Sequence, residues 1–239
     1  MLRVAAAGDL HYTKSSTGAL RRLFADVADR ADVLLLAGDL TDYGHPEEAH
    51  ALATDLRQLH VPVVAVLGNH DYESGKQDEV AAILRDAGIT VLDGDSVEVK
   101  GVGIAGVKGF CGGFGRRALG AWGESGIKHF VQEAVDEAMR LEKALMRVRP
   151  EARIVLLHYS PVQGTVEGEP PEIWPFLGSS RLEEPLNRYA VRAVFHGHAH
   201  FGQPEAATSA GIPVYNVALP VLRRSVPGQA PFRVIELDV

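Results

Sequence analysis

Five short apolar runs punctuate this chain, and each of them ends in a cluster of Asp, His or Asn residues. The runs cover residues 2–7, 33–37, 63–67, 154–157 and 191–195, and their lengths are typical of buried β-strands. If these strands are neighbours, all the clusters lie along one edge of one sheet. Open α/β sheets bind ligands outside the carboxyl ends of their strands. The sequence therefore predicts one crevice that gathers metal-binding residue types from most of the chain.

The segments between the runs indicate an α/β fold. Residues 17–30, 47–59 and 78–87 carry apolar residues at helical spacing, and this strand–helix alternation is typical of parallel strands. Short strands are predicted within residues 89–107, followed by a long amphipathic helix over 128–148. Further strands are predicted near 204–208, 214–217 and 232–237. The simplest architecture is a single domain, residues 1–239, with two packed mixed sheets and helices on both outer faces.

The composition narrows the class of protein. A formal net charge of −7 disfavours long nucleic acid as a partner and favours a small substrate. Cys111 is the single cysteine, so no internal disulfide can form and a reducing compartment is expected. The sequence shows neither a signal peptide nor an apolar run of the about 20 residues that cross a bilayer. We therefore expect a soluble cytoplasmic protein with no membrane partner, whose oligomeric state the sequence does not reveal.

The residue types in the clusters are those of a transition-metal site. Asp9 and His11 are two residues apart, as are His198 and His200, so each pair shares a face where the backbone is extended. Asp39 lies at the end of its strand, after Gly38, and each of its two carboxylate oxygens can hold a cation. Mixed nitrogen and oxygen ligands suit Mn, Fe, Zn or Co better than Ca.

The order of the clusters resembles the calcineurin-like metallophosphoesterase superfamily. The pattern of that family runs D-x-H, G-D-x-x-D, G-N-H-D/E, an isolated H, and G-H-x-H. This sequence matches it at 9–11, 38–42, 68–71, His158 and 197–200, with no position missing. The resemblance implies a four-layer αββα sandwich. It also implies two divalent transition-metal ions (Mn, Fe, Zn, Ni or Co), with Mn favoured for activity.

The resemblance further implies a role for each residue of the motifs. One metal would be held by Asp9, His11, Asp39 and His200. The other would be held by Asp39, Asn69, His158 and His198, so that Asp39 bridges the pair. His70 would not be a ligand; it would face the substrate and assist the leaving oxygen, with Asp71 orienting it.

This constellation predicts hydrolysis of a phosphate ester. Two ions ~3.5–4 Å apart clamp the attacking and leaving oxygens, and a hydroxide that bridges them attacks the phosphorus. His70, if protonated, would donate a proton or a hydrogen bond to the departing oxygen. We expect a small phosphate ester as substrate and favour a phosphodiester. The alternatives are a phosphomonoesterase, a nuclease, or a non-catalytic interaction scaffold on the same fold, which is disfavoured because every ligand type and His70 are intact.

Three residues near the motifs keep two interpretations. His196 either touches the site or has a structural role. Asp42 either supports the site through hydrogen bonds or forms a turn. Cys111 lies in a glycine-rich segment without a visible activating partner, so a nucleophilic role is disfavoured.

Two excursions, residues 108–123 and 160–185, are predicted to lie near the site. The first carries Arg116 and Arg117, which either meet phosphate or are simply solvated. The second leaves directly from His158 and carries Trp174, which either contributes to specificity or covers core.

Overall fold

A computed structural model describes residues 1–149, 151–225 and 230–238. The strands of its first sheet are β1 (Leu2–Ala7), β2 (Val33–Ala37), β3 (Val63–Val66), β4 (Thr90–Val91) and β11 (Arg233–Leu237). Those of its second sheet are β5 (Asp95–Val99), β6 (Val102–Gly106), β7 (Arg153–Leu156), β8 (Val191–His196), β9 (Glu205–Ala207) and β10 (Pro213–Asn216). The α-helices are α1 (Arg21–Arg30), α2 (Pro46–Leu56), α3 (Gln77–Asp86), α4 (Ser125–Arg147), α5 (Trp174–Leu177), α6 (Glu183–Arg188) and α7 (Leu219–Ser225). Single 3-10 turns cover His70–Tyr72, Gly115–Arg117, Gln163–Thr165 and Pro171–Ile173.

Both sheets are mixed, with a parallel centre. In the first sheet the order is β11-β1-β2-β3-β4, and only β11 runs antiparallel to its neighbour. In the second the order is β5-β6-β7-β8-β10-β9, with antiparallel strands at the two edges. The carboxyl ends of the parallel strands of each sheet therefore lie at one edge, where the polar clusters follow.

The alternation of side chains along the strands builds the layers. Ile154, Leu156 and Phe195 of the second sheet belong to the same buried cluster as the first sheet and α1 to α3. Val155 and Val194 face the other way and pack with buried residues of α4. Successive strand residues point to opposite faces, so each sheet is covered on both sides. The four-layer αββα architecture is confirmed.

The clusters do not share one sheet, and that expectation is wrong. Three of them follow β1, β2 and β3, whereas the other two follow β7 and β8, which pair with β6 and β10. The two edges still meet, because Gly8 and Ala218 form a bridge between the segments that follow β1 and β10.

The predicted helices are confirmed, with small shifts at their ends. α1 begins at Arg21 rather than at residue 17, because residues 17–20 form a turn, which follows a hydrogen bond of 2.9 Å between the hydroxyls of Thr13 and Ser16. The short helices α5 to α7 were not predicted, because segments of four to seven residues carry too little periodicity. In the part of the chain that the structure describes, no helix combines the length and apolarity needed to cross a membrane. The interpretation of residues 1–239 as a single domain stays a prediction.

Candidate metal centre

Four of the predicted ligands have a strained backbone. The φ angles are 56° for Asp9, 46° for His11, 47° for Asp39 and 69° for His198, in the left-handed region that residues other than glycine rarely adopt. Within the described ranges, Lys100 is the only other non-glycine residue with a positive φ. Such strain concentrates at functional sites, where surrounding structure fixes it. The backbone therefore singles out the turns that carry the clusters.

Glycines next to the ligands make room for their side chains. A Cβ on Gly68 would collide with the carboxylate of Asp39, and a Cβ on Gly197 would collide with that of Asp9. The glycines of these two motifs are therefore required by close packing around buried carboxylates.

The first group of candidate ligands joins Asp9, His11 and His200, each of which offers one ligand atom within 4.8 Å of the others. Nε2 of His200 lies 2.9 Å from Oδ1 of Asp9. Nδ1 of His11 lies 3.3 Å from Oδ1 of Asp42, and a carboxylate at this distance favours the ring form that carries its proton on Nδ1. Nε2 of His11 is buried and has no hydrogen-bond partner among the described residues. An orphaned imidazole nitrogen beside two carboxylates is what a divalent cation requires, so these residues fit a metal ion.

The second group joins Asp39, His158 and His198. Nδ1 of His158 lies 2.9 Å from the carbonyl oxygen of Ala37, which can only accept a hydrogen bond. In the neutral ring, Nε2 is then an acceptor, and it faces Oδ1 of Asn69 at 2.9 Å and Oδ1 of Asp39 at 3.4 Å. A cation satisfies this convergence of three acceptors.

His198 is oriented from the second excursion. Its Nε2 donates to the carbonyl oxygen of Phe176 at 3.1 Å, which leaves Nδ1 as the nitrogen with a free lone pair. Its ring centroid lies 4.8 Å from that of His158. At this contact the second excursion reaches His198, and the wider expectation that residues 108–123 and 160–185 lie near the site stays a prediction.

Asp39 stands between the two groups. Its Oδ1 faces Nε2 of His158, and its Oδ2 lies 3.9 Å from Nε2 of His11. Oδ1 also accepts the backbone N–H of His70 at 2.9 Å. Each oxygen therefore faces a different half of the centre.

The protonation states of His198, His11 and Asp9 are those of metal ligands. Burial lowers the pKa of His198 to about 3, and neighbouring His158 adds repulsion. Burial also lowers the pKa of His11. For Asp9, burial favours the neutral acid, but the hydrogen bond from His200 and the nearby imidazoles outweigh it and lower the pKa. Neutral imidazole and ionised carboxylate are the forms that bind metals.

His70 begins a 3-10 turn at the rim of the first group. Its Nδ1 donates to the carbonyl oxygen of Asp42 at 2.7 Å, and its ring centroid lies 4.6 Å from that of His11. Burial opposes the charged ring, but the Asp42 carbonyl and the charge of Asp39 outweigh it, so the pKa of His70 is raised. His70 also lies close enough to His11 and Asp42 to complete a metal-binding group, so its role as a non-ligand stays a prediction.

The predicted role of Asp71 in orienting His70 is wrong. Asp71 is fully buried, and its carboxylate accepts the backbone N–H groups of Gly68 and Thr41, both at 2.8 Å. Burial raises its pKa to about 6. The carboxylate turns inward because the two loop amides need acceptors, and the backbone of Asp42 orients the His70 ring instead.

His196 has a structural role and lies outside the candidate metal-binding groups of the described residues. Its Nδ1 and Nε2 bond to the carbonyl oxygen of Gly197 and to Oγ1 of Thr165, both at 2.8 Å. Burial lowers its pKa to about 4. Cys111 is also buried, and burial raises the pKa of its thiol to about 11, which suppresses the thiolate that a nucleophile requires.

Residues of the excursions divide between surface and core. Arg116 and Arg117 are exposed on the 3-10 turn, and their contact with phosphate stays a prediction. Trp174 packs against the small cluster of Val166, Leu177 and Ala199, and its Nε1 donates to the carbonyl of Glu169 at 2.9 Å. Of its two interpretations, this packing favours the one in which Trp174 covers core.

No motif in the sequence points to the Phe176 carbonyl or to Tyr159 as parts of the centre. The ring centroid of Tyr159 lies 4.5 Å from that of His198. A carbonyl is common to all residue types, so only its position in the fold reveals it. For Tyr159, adjacency to His158 is the one available signal.

The fold and the centre place this chain among the metallophosphoesterases. The chain matches the calcineurin-like phosphoesterase family over residues 2–202 and belongs to it. That family depends on two metal ions.

The individual proteins that resemble this chain share only 15–27% of their residues with it. The chain is 27% identical over 218 residues to a probable cyclic nucleotide phosphodiesterase of Rhodococcus erythropolis, a match that covers 87% of this chain and 65% of the relative. This chain thus spans less than two thirds of that relative's length. The phosphopantetheinyl hydrolase of Mycobacterium tuberculosis superposes with a TM-score of 0.70 at 15% identity, covering 98% of this chain and 96% of that one. A protein of Thermus thermophilus superposes with a TM-score of 0.58 at 15% identity, covering 98% and 97%. These two likenesses concern the fold.

Proposed function

We propose that this chain is a dinuclear-metal phosphohydrolase that prefers small phosphodiesters. Asp39 is the observation that carries the proposal, because its two oxygens face Nε2 of His11 and Nε2 of His158 on opposite sides. A carboxylate placed in this way is suited to bridge two cations. One ion would be held by Asp9, His11, Asp39 and His200, and the other by Asp39, Asn69, His158 and His198.

Two divalent ions in this centre would activate water and neutralise the phosphate oxygens. The protein itself supplies the orientation of the ligands. The carbonyls of Ala37 and Phe176 fix the tautomers of His158 and His198, and the carboxylate of Asp42 fixes that of His11.

His70 is proposed as the proton donor to the leaving oxygen. Its Nδ1 is committed to the carbonyl of Asp42, so Nε2 is the nitrogen that can reach a substrate. The raised pKa favours the protonated ring that such a donor needs. Asp71 supports this arrangement indirectly, by holding the loop of Gly68 against that of Thr41.

Manganese and a cytoplasmic location complete the proposal. Mixed imidazole and carboxylate ligands support Mn among several ions, and a single buried cysteine accords with a reducing compartment. The name of the Rhodococcus erythropolis relative supports a diester substrate.

Turnover of bis(p-nitrophenyl) phosphate with Mn²⁺ tests the proposal. Wild-type protein should release p-nitrophenolate, and removal of metal with EDTA should abolish this release until Mn²⁺ is restored. A parallel assay with p-nitrophenyl phosphate measures the preference for diesters. The absence of Mn²⁺-dependent turnover of either compound would refute the proposed function.

A further inference from the structure

A cavity of about 390 Å³ opens beside the proposed ligand Asn69. Its walls come from the loop after β3, from Lys108 after β6, from Tyr159 after β7 and from α4. We call it the Lys108 pocket. The ring of Tyr159 also touches the centre, since its centroid lies 5.3 Å from that of His158 and 4.5 Å from that of His198. The pocket therefore adjoins the place where a phosphate ester would react, through Asn69 and Tyr159.

The ammonium group of Lys108 lies among three aromatic rings in this pocket. Its Nζ is 5.0 Å from the ring centroid of Phe110 and 5.3 Å from those of Tyr72 and Tyr159. Within the described residues its only hydrogen-bond acceptor is the carbonyl oxygen of Gly109, at 2.9 Å. An ammonium group has three donors, so two of them are not used by the protein.

Nearby carboxylates do not use these donors. Glu137 is buried, and its oxygens accept the backbone N–H of Gly109 at 2.7 Å and Nη1 of Arg140 at 2.8 Å. Glu133 pairs with His129 at 3.6 Å. In the described part of the chain, no carboxylate lies within ion-pair distance of Lys108. The free donors are therefore available to an acceptor atom of a ligand.

The balance of charge in the pocket selects the kind of ligand. The carboxylates of Glu133 and Glu137 offset the charges of Lys108 and Arg140, so the pocket has no net positive charge to attract a second phosphate. The half-buried rings of Tyr72 and Phe110 supply apolar faces. Aromatic faces beside a hydrogen-bond donor suit a planar, neutral ring that carries an acceptor.

We propose that the Lys108 pocket binds the nucleobase of a nucleotide phosphodiester, with Lys108 donating to a carbonyl or ring nitrogen of the base. This assignment rests on the proposed function and names the substrate class of the same site. The reacting phosphorus lies at the metal centre, and the base occupies the pocket on the side of Asn69. Lys108 is thus a specificity-determining residue.

Two esters with the same leaving group test the assignment. Thymidine 5′-(p-nitrophenyl phosphate) carries a base, and methyl p-nitrophenyl phosphate does not. Wild-type protein with Mn²⁺ should have the higher kcat/KM for the thymidine ester. In Lys108→Met the ratio of the two kcat/KM values should fall about tenfold, the size expected when a hydrogen bond from a charged donor is lost. An unchanged ratio would overturn the assignment.

Lys143→Met is the matched control, because Lys143 is exposed on α4 and does not line the pocket. It should keep the wild-type ratio. Phe110→Leu removes an aromatic face and serves as a second variant if Lys108→Met does not fold. It should lower the ratio in the same direction, and a wild-type ratio in Phe110→Leu would also count against the assignment.

Binding of thymidine 5′-monophosphate separates this inference from the proposed function. If wild-type protein hydrolyses neither ester, the proposed function fails, and calorimetry then tests the pocket by itself. Relative to inorganic phosphate, the affinity for the nucleotide should be about tenfold weaker in Lys108→Met than in Lys143→Met. Equal relative affinities in the two variants would refute base binding.

Discussion

The two halves of the proposed metal centre are held in place by different means. In the half built on Asp39, the side chain of His158 is 0% exposed, and backbone carbonyls fix the rings of His158 and His198. In the half built on Asp9, the side chain of His200 is 34% exposed, and the group that faces Nδ1 of His11, at 3.3 Å, is the side-chain carboxylate of Asp42. We call these the buried half and the open half.

The two halves differ in how easily their orienting groups can be removed. The carbonyls of Ala37 and Phe176 cannot be removed by mutation of a side chain, so the buried half forms whenever the strands and the second excursion are in place. The open half depends on one anionic group, and hydrogen bonds from ligating imidazoles to such groups tune metal affinity. We expect the open half to lose its ion first when metal is limiting.

Loss of the shared ligand Asp39 should affect metal binding in both halves. Asp39→Ala removes a ligand from both, so the protein should lose both ions. Turnover should fall by more than the about 10²–10⁴-fold that is typical of losing one general acid. Metal content by mass spectrometry and turnover of bis(p-nitrophenyl) phosphate check this. Asp29→Ala, on the exposed end of α1, is the control, and two retained ions in Asp39→Ala would contradict the bridging role.

Removal of the proposed proton donor should leave both halves loaded. His70→Asn should keep two ions per chain but lower kcat by about 10²–10⁴-fold, because only the leaving oxygen loses its donor. The measurement is metal stoichiometry beside kcat on the same preparation. A variant that loses an ion would instead place His70 among the ligands, in the group with His11 and Asp42.

The open half can be weakened alone. Asp42→Ala removes the carboxylate at 3.3 Å from Nδ1 of His11 but keeps the backbone carbonyl that bonds to His70. Affinity for one ion should fall by about 10–100-fold, while the second ion stays bound. Titration of the metal-free variant with Mn²⁺ measures the affinities for the two ions separately. Equal weakening of both would show that the halves are not independent.

The sequence predicts which residues form the centre better than how the strands and loops bring them together. All seven predicted ligands come together, because each follows a strand whose apolar pattern is plain in the chain. Two mixed sheets were predicted, but the assignment of strands to each sheet was not, since the pattern of Ile154 to Leu157 shows burial but not which strand lies alongside. Asp71 was misassigned because the need of the loop amides for an acceptor depends on how two loops meet.

Two features of the site could not be predicted because no sequence motif marks them: a backbone carbonyl and a single lysine. The carbonyl of Phe176 reaches His198 in an excursion whose end returns beside its start, where Ser160 and Gly178 form a bridge. Lys108 is one lysine after a strand, and its aromatic surroundings come from three separate segments.

The smallest predicted effect concerns the hydrogen bonds that the hydroxyl of Thr165 makes with His196 and Ser160. Thr165→Val removes the hydroxyl that bonds to Nε2 of His196 at 2.8 Å and to Oγ of Ser160 at 2.7 Å. A buried polar group left without a partner costs about 1–3 kcal/mol, so the free energy of unfolding should fall by that amount. Urea denaturation measures it, and Thr54→Val, at an exposed position of α2, should change stability by less than about 0.5 kcal/mol. Because His196 lies outside the candidate metal-binding groups of the described residues, metal content and turnover of Thr165→Val should stay near wild type. Loss of an ion would show that the hydrogen bonds of Thr165 help to hold the ligands of the buried half.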